Sequence, residues 1–84
     1  MVIDGRMTGK AALAHIRTLA PQGRRVLGID GFRVVPEGYI ASLDLILDLS
    51  IAPMPLEEAA SRASAFIAHH AAEDVLFEVV SDGS

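Results

Sequence analysis

The chain has 84 residues, 51% of them hydrophobic, and its seven basic against eleven acidic residues give a net charge of −4 at pH 7. This length predicts one small domain over residues 1–84, and the hydrophobic content excludes an intrinsically disordered chain. The absence of cysteine excludes disulfides, thiolate metal sites and cysteine nucleophiles, and it fits a reducing cytoplasm. Because the segment MVIDGRMTGK lacks the apolar stretch of a signal peptide and no apolar run reaches ~18 residues, we expect a cytoplasmic protein without membrane association.

The charge is divided unequally along the chain. Residues 1–33 hold six basic residues and two acids, a net charge of +4, whereas residues 34–84 hold one basic residue and nine acids, a net charge of −8. This division predicts either attraction between the two parts or an acidic surface that is offered to a basic partner.

The beginning of the chain predicts a short strand and then a helix. Met1–Asp4 is mostly apolar and is followed by Gly5, which is typical of a brief strand that ends at a glycine. Thr8 can cap the following helix, whose apolar face carries Leu13, Ile16 and, near its end, Ala20. The segment Pro21-Gln22-Gly23 then ends the helix.

Residues 24–35 predict the next strand, because β-branched and other large apolar residues dominate the segment. Gly28 and the pair Asp30-Gly31 are expected to bend or bulge it. The following segment, Pro36-Glu37-Gly38, has the composition of a tight turn that closes a hairpin.

Residues 41–50 fit two interpretations. With a period of two, four leucines form one face of a strand, and Ile46 is left among polar residues on the other. With a period of 3.6, Asp44 and Asp48 form a polar stripe on a short helix that Ser42 would cap. The hairpin turn just before the segment favours the strand.

The last part of the chain predicts a helix over about 55–70 and a final strand over 75–80. Pro55 suits the first turn of the helix, and Phe66 and Ile67 are expected to be the bulky part of its core face. Its predicted core face carries Leu56, Ala59, Ala60, Ala63, Phe66, Ile67 and His70. The resulting order, (β)-α-β-β-α-β, predicts an α+β fold with two helices packed on a small sheet of three to four strands.

No group of side chains in the sequence predicts catalysis, a metal site or a cofactor. His69 and His70 are adjacent on the predicted helix and point about 100° apart, so they cannot easily bind one ion. The arginines at 24, 25 and 33 lack interleaved aromatic residues and belong to an acidic chain, which argues against nucleic-acid binding.

Two segments resemble the barstar-like ribonuclease inhibitors. Met1–Gly5, followed by a helix through Leu13 and Leu19, is similar to the opening strand, glycine and first helix of that family. Leu43–Asp48 is similar to its Leu-Asp-x-x-x-Asp segment. The resemblance implies that this segment is a short helix and that Asp44 and Asp48 plug the basic active site of a nuclease.

The sequence therefore predicts a non-enzymatic protein-binding module, of inhibitor or immunity type, that presents an acidic surface to a basic protein. The expected partner-binding residues are Asp44, Asp48, Glu37 and Tyr39. Two alternatives stay open. One is a small ligand-binding or enzyme-accessory subunit with a pocket beside Gly28–Phe32, and the other is a structural domain that forms a homodimer through an exposed strand edge.

Overall fold

The computed structural model describes residues 1–82 and confirms the α+β fold. Within these residues, four strands and two helices follow in the order β-α-β-β-α-β, with one short 3-10 helix at Ala20–Gln22. Their bounds are β1 Val2–Met7, α1 Gly9–Ile16, β2 Val26–Val35, β3 Gly38–Asp48, α2 Leu56–His70 and β4 Val75–Ser81. The first strand is longer than predicted and the first helix is shorter. Residues 17–19 form turns in which the amides of Thr18 and Leu19 donate to carbonyl groups three residues back, so the α-helical pattern ends at Ile16.

The four strands form one antiparallel sheet in the order β1-β4-β2-β3. Helix α1 connects β1 to β2, and α2 connects β3 to β4, so each helix crosses over a strand that lies between the two it joins. The helices contact each other, and α1 packs against β4 while α2 packs against β2 and β3. Both helices therefore cover the same face of the sheet.

The ends of the helices are set by local chemistry. The Thr8 hydroxyl accepts a hydrogen bond from the Ala11 amide at 3.2 Å, so Thr8 caps α1 as predicted. Gly23 has a left-handed backbone with φ of 71°, which turns the chain toward β2 after the 3-10 helix. Helix α2 follows Pro55 and has two glutamates in its first turn and two histidines in its last, which complement the helix dipole.

The core lies between the helices and the inner side of β4 and β2. Phe77, in the middle of β4, is its largest fully buried side chain. Small alanines on both helices let their backbones approach the sheet closely; the core consists of Ala12, Ile16, Leu19, Val26, Ile29, Leu45, Leu49, Ala59, Ala63, Ile67, Val75, Phe77 and Val79. Of the two bulky residues expected on the core face of α2, Ile67 is fully buried. The Phe66 ring is only partly buried, and its centre lies 4.5 Å from that of the His70 ring at the edge of the core.

Residues 41–48 belong to strand β3, as the period-two interpretation predicted. Leu43 is 90% exposed, however, so only the other three leucines of the expected apolar face pack in or against the core. The strand carries a large bulge. Asp30 pairs with Ile46 and Phe32 pairs with Ala41, so Gly31 alone lies opposite the four residues 42–45. A Cβ on Gly31 would lie 2.5 Å from the Cβ of Leu45. The glycine therefore makes the room through which Leu45 enters the core. The pairing of β2 with β3 is irregular at Asp30-Gly31, where a bend or bulge in β2 was expected, but the extra residues lie in β3 and β2 continues as a strand.

Candidate functional site

The side of the sheet opposite the helices is not covered by any element of residues 1–82 and is called the open face below. Directly opposed residues of antiparallel strands point to the same side, so the register assigns its members. They are Ile3 and Arg6 of β1, Leu76, Glu78 and Val80 of β4, Gly28, Asp30, Phe32 and Val34 of β2, and Tyr39, Ala41, Ile46 and Asp48 of β3. The face combines exposed apolar side chains with four charged groups.

Two carboxylates lie side by side at the centre of the open face. Asp30 and Glu78 are direct partners on the adjacent strands β2 and β4. Like charges in this arrangement repel each other, because directly opposed Cβ atoms are only about 4.5–5.5 Å apart. The carboxylate of Asp30 has no lysine, arginine or histidine within 4 Å among residues 1–82, so no basic side chain there offsets this repulsion at Asp30.

Arg6 is the one basic side chain of the open face among residues 1–82, and its charge is already engaged. Its Nε lies 3.7 Å from a carboxylate oxygen of Glu78. Its guanidinium carbon also lies 4.6 Å from the centre of the Phe32 ring and 4.5 Å from that of the Tyr39 ring, in cation–π geometry. With Asp30, Glu78 and Asp48 against Arg6, the open face carries a net charge of −2.

A pocket of about 240 Å³ opens on this face where β2, β3 and β4 meet. No side chain rises from Gly28, which lies between Val80 on β4 and Asp48 on β3. The pocket is lined by Met1, Leu27, Gly28, Asp30, Ile46, Leu47, Asp48, Ser50 and Val80. It is therefore a mainly apolar depression with two carboxylates in its wall.

The four residues predicted to bind a partner do not form one group. Asp48 and Tyr39 lie on the open face, but toward opposite ends of β3. Asp44 belongs to the bulge and accepts a hydrogen bond from the Arg33 guanidinium at 2.7 Å. Glu37 is exposed in the turn between β2 and β3. The structure thus separates Asp44 from Asp48, which the sequence pattern had placed on one face.

The carboxylates of Asp44 and Asp48 both have lowered pKa values, for similar reasons. A hydrogen bond donated by the Ser42 hydroxyl lowers the pKa of Asp44 most, and the charge of Arg33 adds to it. The hydroxyl and the amide of Ser50 lower the pKa of Asp48, at distances of 2.6 Å and 2.9 Å to Oδ1. Both groups are therefore firmly ionised at neutral pH.

We expect Ser42→Ala to raise the pKa of Asp44 toward that of an ordinary aspartate while the pKa of Asp48 stays unchanged. A lowered pKa in the folded state stabilises the fold above the unfolded-state pKa of about 3.9, and this stabilisation is lost as the pH falls through the lowered value. Carboxyl ¹³C chemical shifts followed from pH 7 to pH 2 measure both groups. Ser50→Ala is the matched control and should move only Asp48; equal pKa values for Asp44 in wild type and Ser42→Ala would contradict the assignment.

Opposite charges from the two parts of the chain do meet in the folded protein. Arg6 with Glu78, Arg33 with Asp44, and Arg25 with Asp82 each join a base from residues 1–33 to an acid from residues 34–84. Such partly exposed pairs contribute little stability individually. They leave Asp30 and Asp48 as the carboxylates of the open face without a cationic neighbour among residues 1–82.

A second polar cluster joins α1 to the sheet on the helix side. His15 Nε2 lies 2.5 Å from Asp4 Oδ2, and Arg24 donates a hydrogen bond to the Ser81 hydroxyl at 2.6 Å. Arg24 also lies 3.9 Å from Asp4. These contacts join polar groups at the rim of the core, although Arg24 Nε is buried without a hydrogen-bond partner among residues 1–82. We interpret the cluster as a structural link.

Sequence analysis did not identify the central carboxylates of the open face. Asp30 precedes a glycine and was interpreted as part of a bend, whereas it remains in strand β2. Glu78 interrupts the apolar run of β4, and a charged residue in the middle of a strand is the signal that one side of the sheet is exposed. The alternation of buried and half-buried residues along β4 confirms this signal.

No three histidine, aspartate or glutamate side chains within residues 1–82 are arranged to hold a metal ion, and the His69 and His70 rings meet edge to face at 4.7 Å. No helix within the same residues combines the length and the apolar character that crossing a membrane requires. Comparisons with protein-family models, with curated proteins and with solved structures found no match to this chain.

Proposed function

We propose that the chain is a non-enzymatic protein-binding module whose open face binds a basic protein. The observation that carries the proposal is the uncovered side of the sheet, on which exposed apolar side chains surround the carboxylates of Asp30, Glu78 and Asp48. Val34, Tyr39 and Ile46 are each at least 40% exposed on this side. Large apolar side chains gathered on one exposed surface are typical of interaction sites.

The charge of the open face favours a basic partner over a second copy of the chain. A net charge of −2 on each copy would oppose stacking of two such faces, since Asp30 and Glu78 occupy the centre of both. A basic protein would instead supply cations to carboxylates that already repel each other. An inhibitor or immunity-type role is the most specific form of the proposal, and the absence of cysteine supports a cytoplasmic location.

The proposal does not depend on the resemblance to barstar-like inhibitors. That resemblance implies a short helix over the segment with Asp44 and Asp48, and the segment lies in strand β3. Asp44 is also paired with Arg33, so its negative charge is less available to a partner. Among the residues that the sequence pointed to, Asp48 and Tyr39 are retained as contact residues of the open face.

A second candidate function is small-ligand binding, favoured by the pocket beside Gly28 and Asp30, where the sequence predicted one. Its volume of about 240 Å³ is below the roughly 300–1,000 Å³ of ordinary small-molecule sites. The pocket is thus suited to a small group and not to a nucleotide or another large cofactor.

The experiment uses three immobilised baits: wild type, Asp30→Asn/Glu78→Gln, and the control Glu57→Gln/Glu73→Gln. Both double variants remove two negative charges, but the control changes exposed residues of α2 and of the segment after it. We expect quantitative mass spectrometry of host lysate to show a basic protein that wild type and control retain and the open-face variant loses.

The candidate partner is then purified and its binding rates are measured at several salt concentrations. Loss of the open-face carboxylates should slow association at low salt by about tenfold, and added salt should narrow the difference because the Debye length shortens. If the open-face variant retains every protein that wild type retains, with unchanged rates, the proposed binding face is wrong.

A further inference from the structure

The pocket on the open face, here the Gly28 pocket, opens beside a glycine in a row of directly paired residues. Across the sheet the row runs Ile3, Val80, Gly28 and Asp48. A Cβ on Gly28 would lie 2.8 Å from the carbonyl oxygen of Leu47, so the backbone of β3 lies close against this glycine. A register shift in the pairing of β2 with β4 occurs at this same point, between Val26 and Gly28. Most of the lining therefore belongs to strands β2, β3 and β4, and Met1 and Ser50 complete it.

The size of the Gly28 pocket limits what can enter it. Its volume of about 240 Å³ equals roughly eight water molecules at ~30 Å³ each. That is room for one long side chain and too little for a drug-sized ligand. Ile46 and Val80 provide apolar wall, which suits an aliphatic stem.

The charged groups of the pocket favour a cation at the end of that stem. Asp30 pairs with Ile46, and Asp48 pairs with Gly28, so the two aspartates are diagonal neighbours, with Cα atoms about 7–8 Å apart. Both hydrogen bonds that Ser50 donates to Asp48 end on Oδ1, which leaves Oδ2 available. No lysine, arginine or histidine lines the pocket, so its lining has two negative side chains and no basic one.

We propose that the Gly28 pocket receives the side chain of a lysine or arginine from the protein partner, with its cation between Asp30 and Asp48 and its aliphatic stem against Ile46 and Val80. This inference rests on the proposed function and names the chemical group that the open face recognises. Burial of the stem and pairing of the cation act together, which makes such a residue a central contact of the interface.

The first experiment titrates ¹⁵N-labelled protein with blocked tripeptides that carry lysine, arginine or leucine at the centre. We expect the lysine and arginine peptides to shift the amide signals of Gly28, Ile46, Asp48 and Val80 with a Kd on the order of 1–10 mM, as suits so small a contact. Asp30→Asn and Asp48→Asn should each weaken this binding at least fivefold, while Glu37→Gln, an acid in the turn outside the pocket, should leave it unchanged. Equal shifts with the leucine peptide, or no shifts at these residues, would overturn the proposal.

Butylammonium tests whether the cation comes from a free amine instead. If butylammonium binds the pocket at least tenfold more tightly than the lysine peptide does, the site selects a small amine and the assignment to a partner side chain is wrong. Comparable or weaker binding of butylammonium supports a peptide-borne cation.

The second experiment separates failure of this inference from failure of the proposed function. Ile46→Trp fills the pocket without changing charge, at a position that is 43% exposed and therefore tolerant of a larger side chain. We expect it to weaken partner binding at least tenfold, with an unchanged thermal midpoint. If the partner binds Ile46→Trp like wild type but not Asp30→Asn/Glu78→Gln, the open face is the binding site and the Gly28 pocket is not its specificity element.

Discussion

Replacing Phe77 with alanine should lower the free energy of unfolding by about 3–5 kcal/mol, the range found for large-to-small substitutions of fully buried aromatic residues. Phe77 is 0% exposed and lies at the centre of β4, which pairs with both β1 and β2. Its ring also packs under the start of α1, since a Cβ on the buried Gly9 would lie 3.5 Å from Phe77 Cε2. A single truncation would thus remove contacts between the helix layer and the two strands that flank β4.

The matched control is Phe66→Ala, which removes the same ring from helix α2. Phe66 is only partly buried and contacts His70 at the edge of the core, so we expect a smaller loss of about 1–2 kcal/mol. Urea unfolding followed by circular dichroism gives both values. Small domains have total stabilities of about 5–15 kcal/mol, so Phe77→Ala should leave a marginal fold. Equal midpoints for the two variants would mean that the core is not centred on Phe77.

Local sequence patterns predicted most of the secondary structure. Thr8 as a cap, the glutamates and histidines at the two ends of α2, and the apolar run of β4 each depend on neighbours within a few residues. The order β1-β4-β2-β3 was not predicted, because strand pairing depends on contacts between residues far apart in the chain. The partial burial of Phe66 beside the fully buried Ile67 has the same origin, because helical spacing assigns a face but only packing decides how deeply each residue is buried.

The candidate site was predictable only in part. The excess of acids in residues 34–84 and the turn before Tyr39 pointed to β3, and Asp48 does lie on the open face. Asp30 and Glu78 become neighbours only because β2 and β4 pair, although 48 positions separate them in the chain. The pairing of Asp44 with Arg33 likewise follows from the β2–β3 bulge, which no pattern within residues 41–50 indicates.

The open face and the core are connected through Gly31. Because Gly31 has no side chain, Leu45 enters the core beside it, and residues 42–44 are pushed outward into the bulge. The bulge restores the pairing of Asp30 with Ile46, and this register turns Ile46 and Asp48 toward the open face. One glycine in β2 therefore determines which residues of β3 a partner would meet.

We expect Gly31→Ala to destabilise the fold by about 2–3 kcal/mol or more, at the upper end of the cost of inserting a methyl group into a packed core. The new Cβ would lie 2.5 Å from the Cβ and 2.9 Å from the carbonyl oxygen of Leu45, so no rotation of the leucine side chain can relieve the contact. The backbone of Gly31 does not have positive φ, so the cost comes from lack of space and not from conformational strain.

Gly5→Ala is the matched control for this prediction, because no atom lies within 4 Å of a Cβ built on Gly5 in strand β1. This change should leave the stability within about 0.5 kcal/mol of wild type or raise it slightly, since alanine restricts the unfolded chain more than glycine does.

Urea unfolding of the two variants measures the free energy of unfolding, and amide spectra of residues 41–48 report the register of β3 against β2. Because the methyl group must separate β2 from β3, the signals of Ile46 and Asp48 should move in Gly31→Ala and stay in place in Gly5→Ala. A Gly31→Ala variant as stable as Gly5→Ala, with unmoved signals, would show that Leu45 does not pack against Gly31.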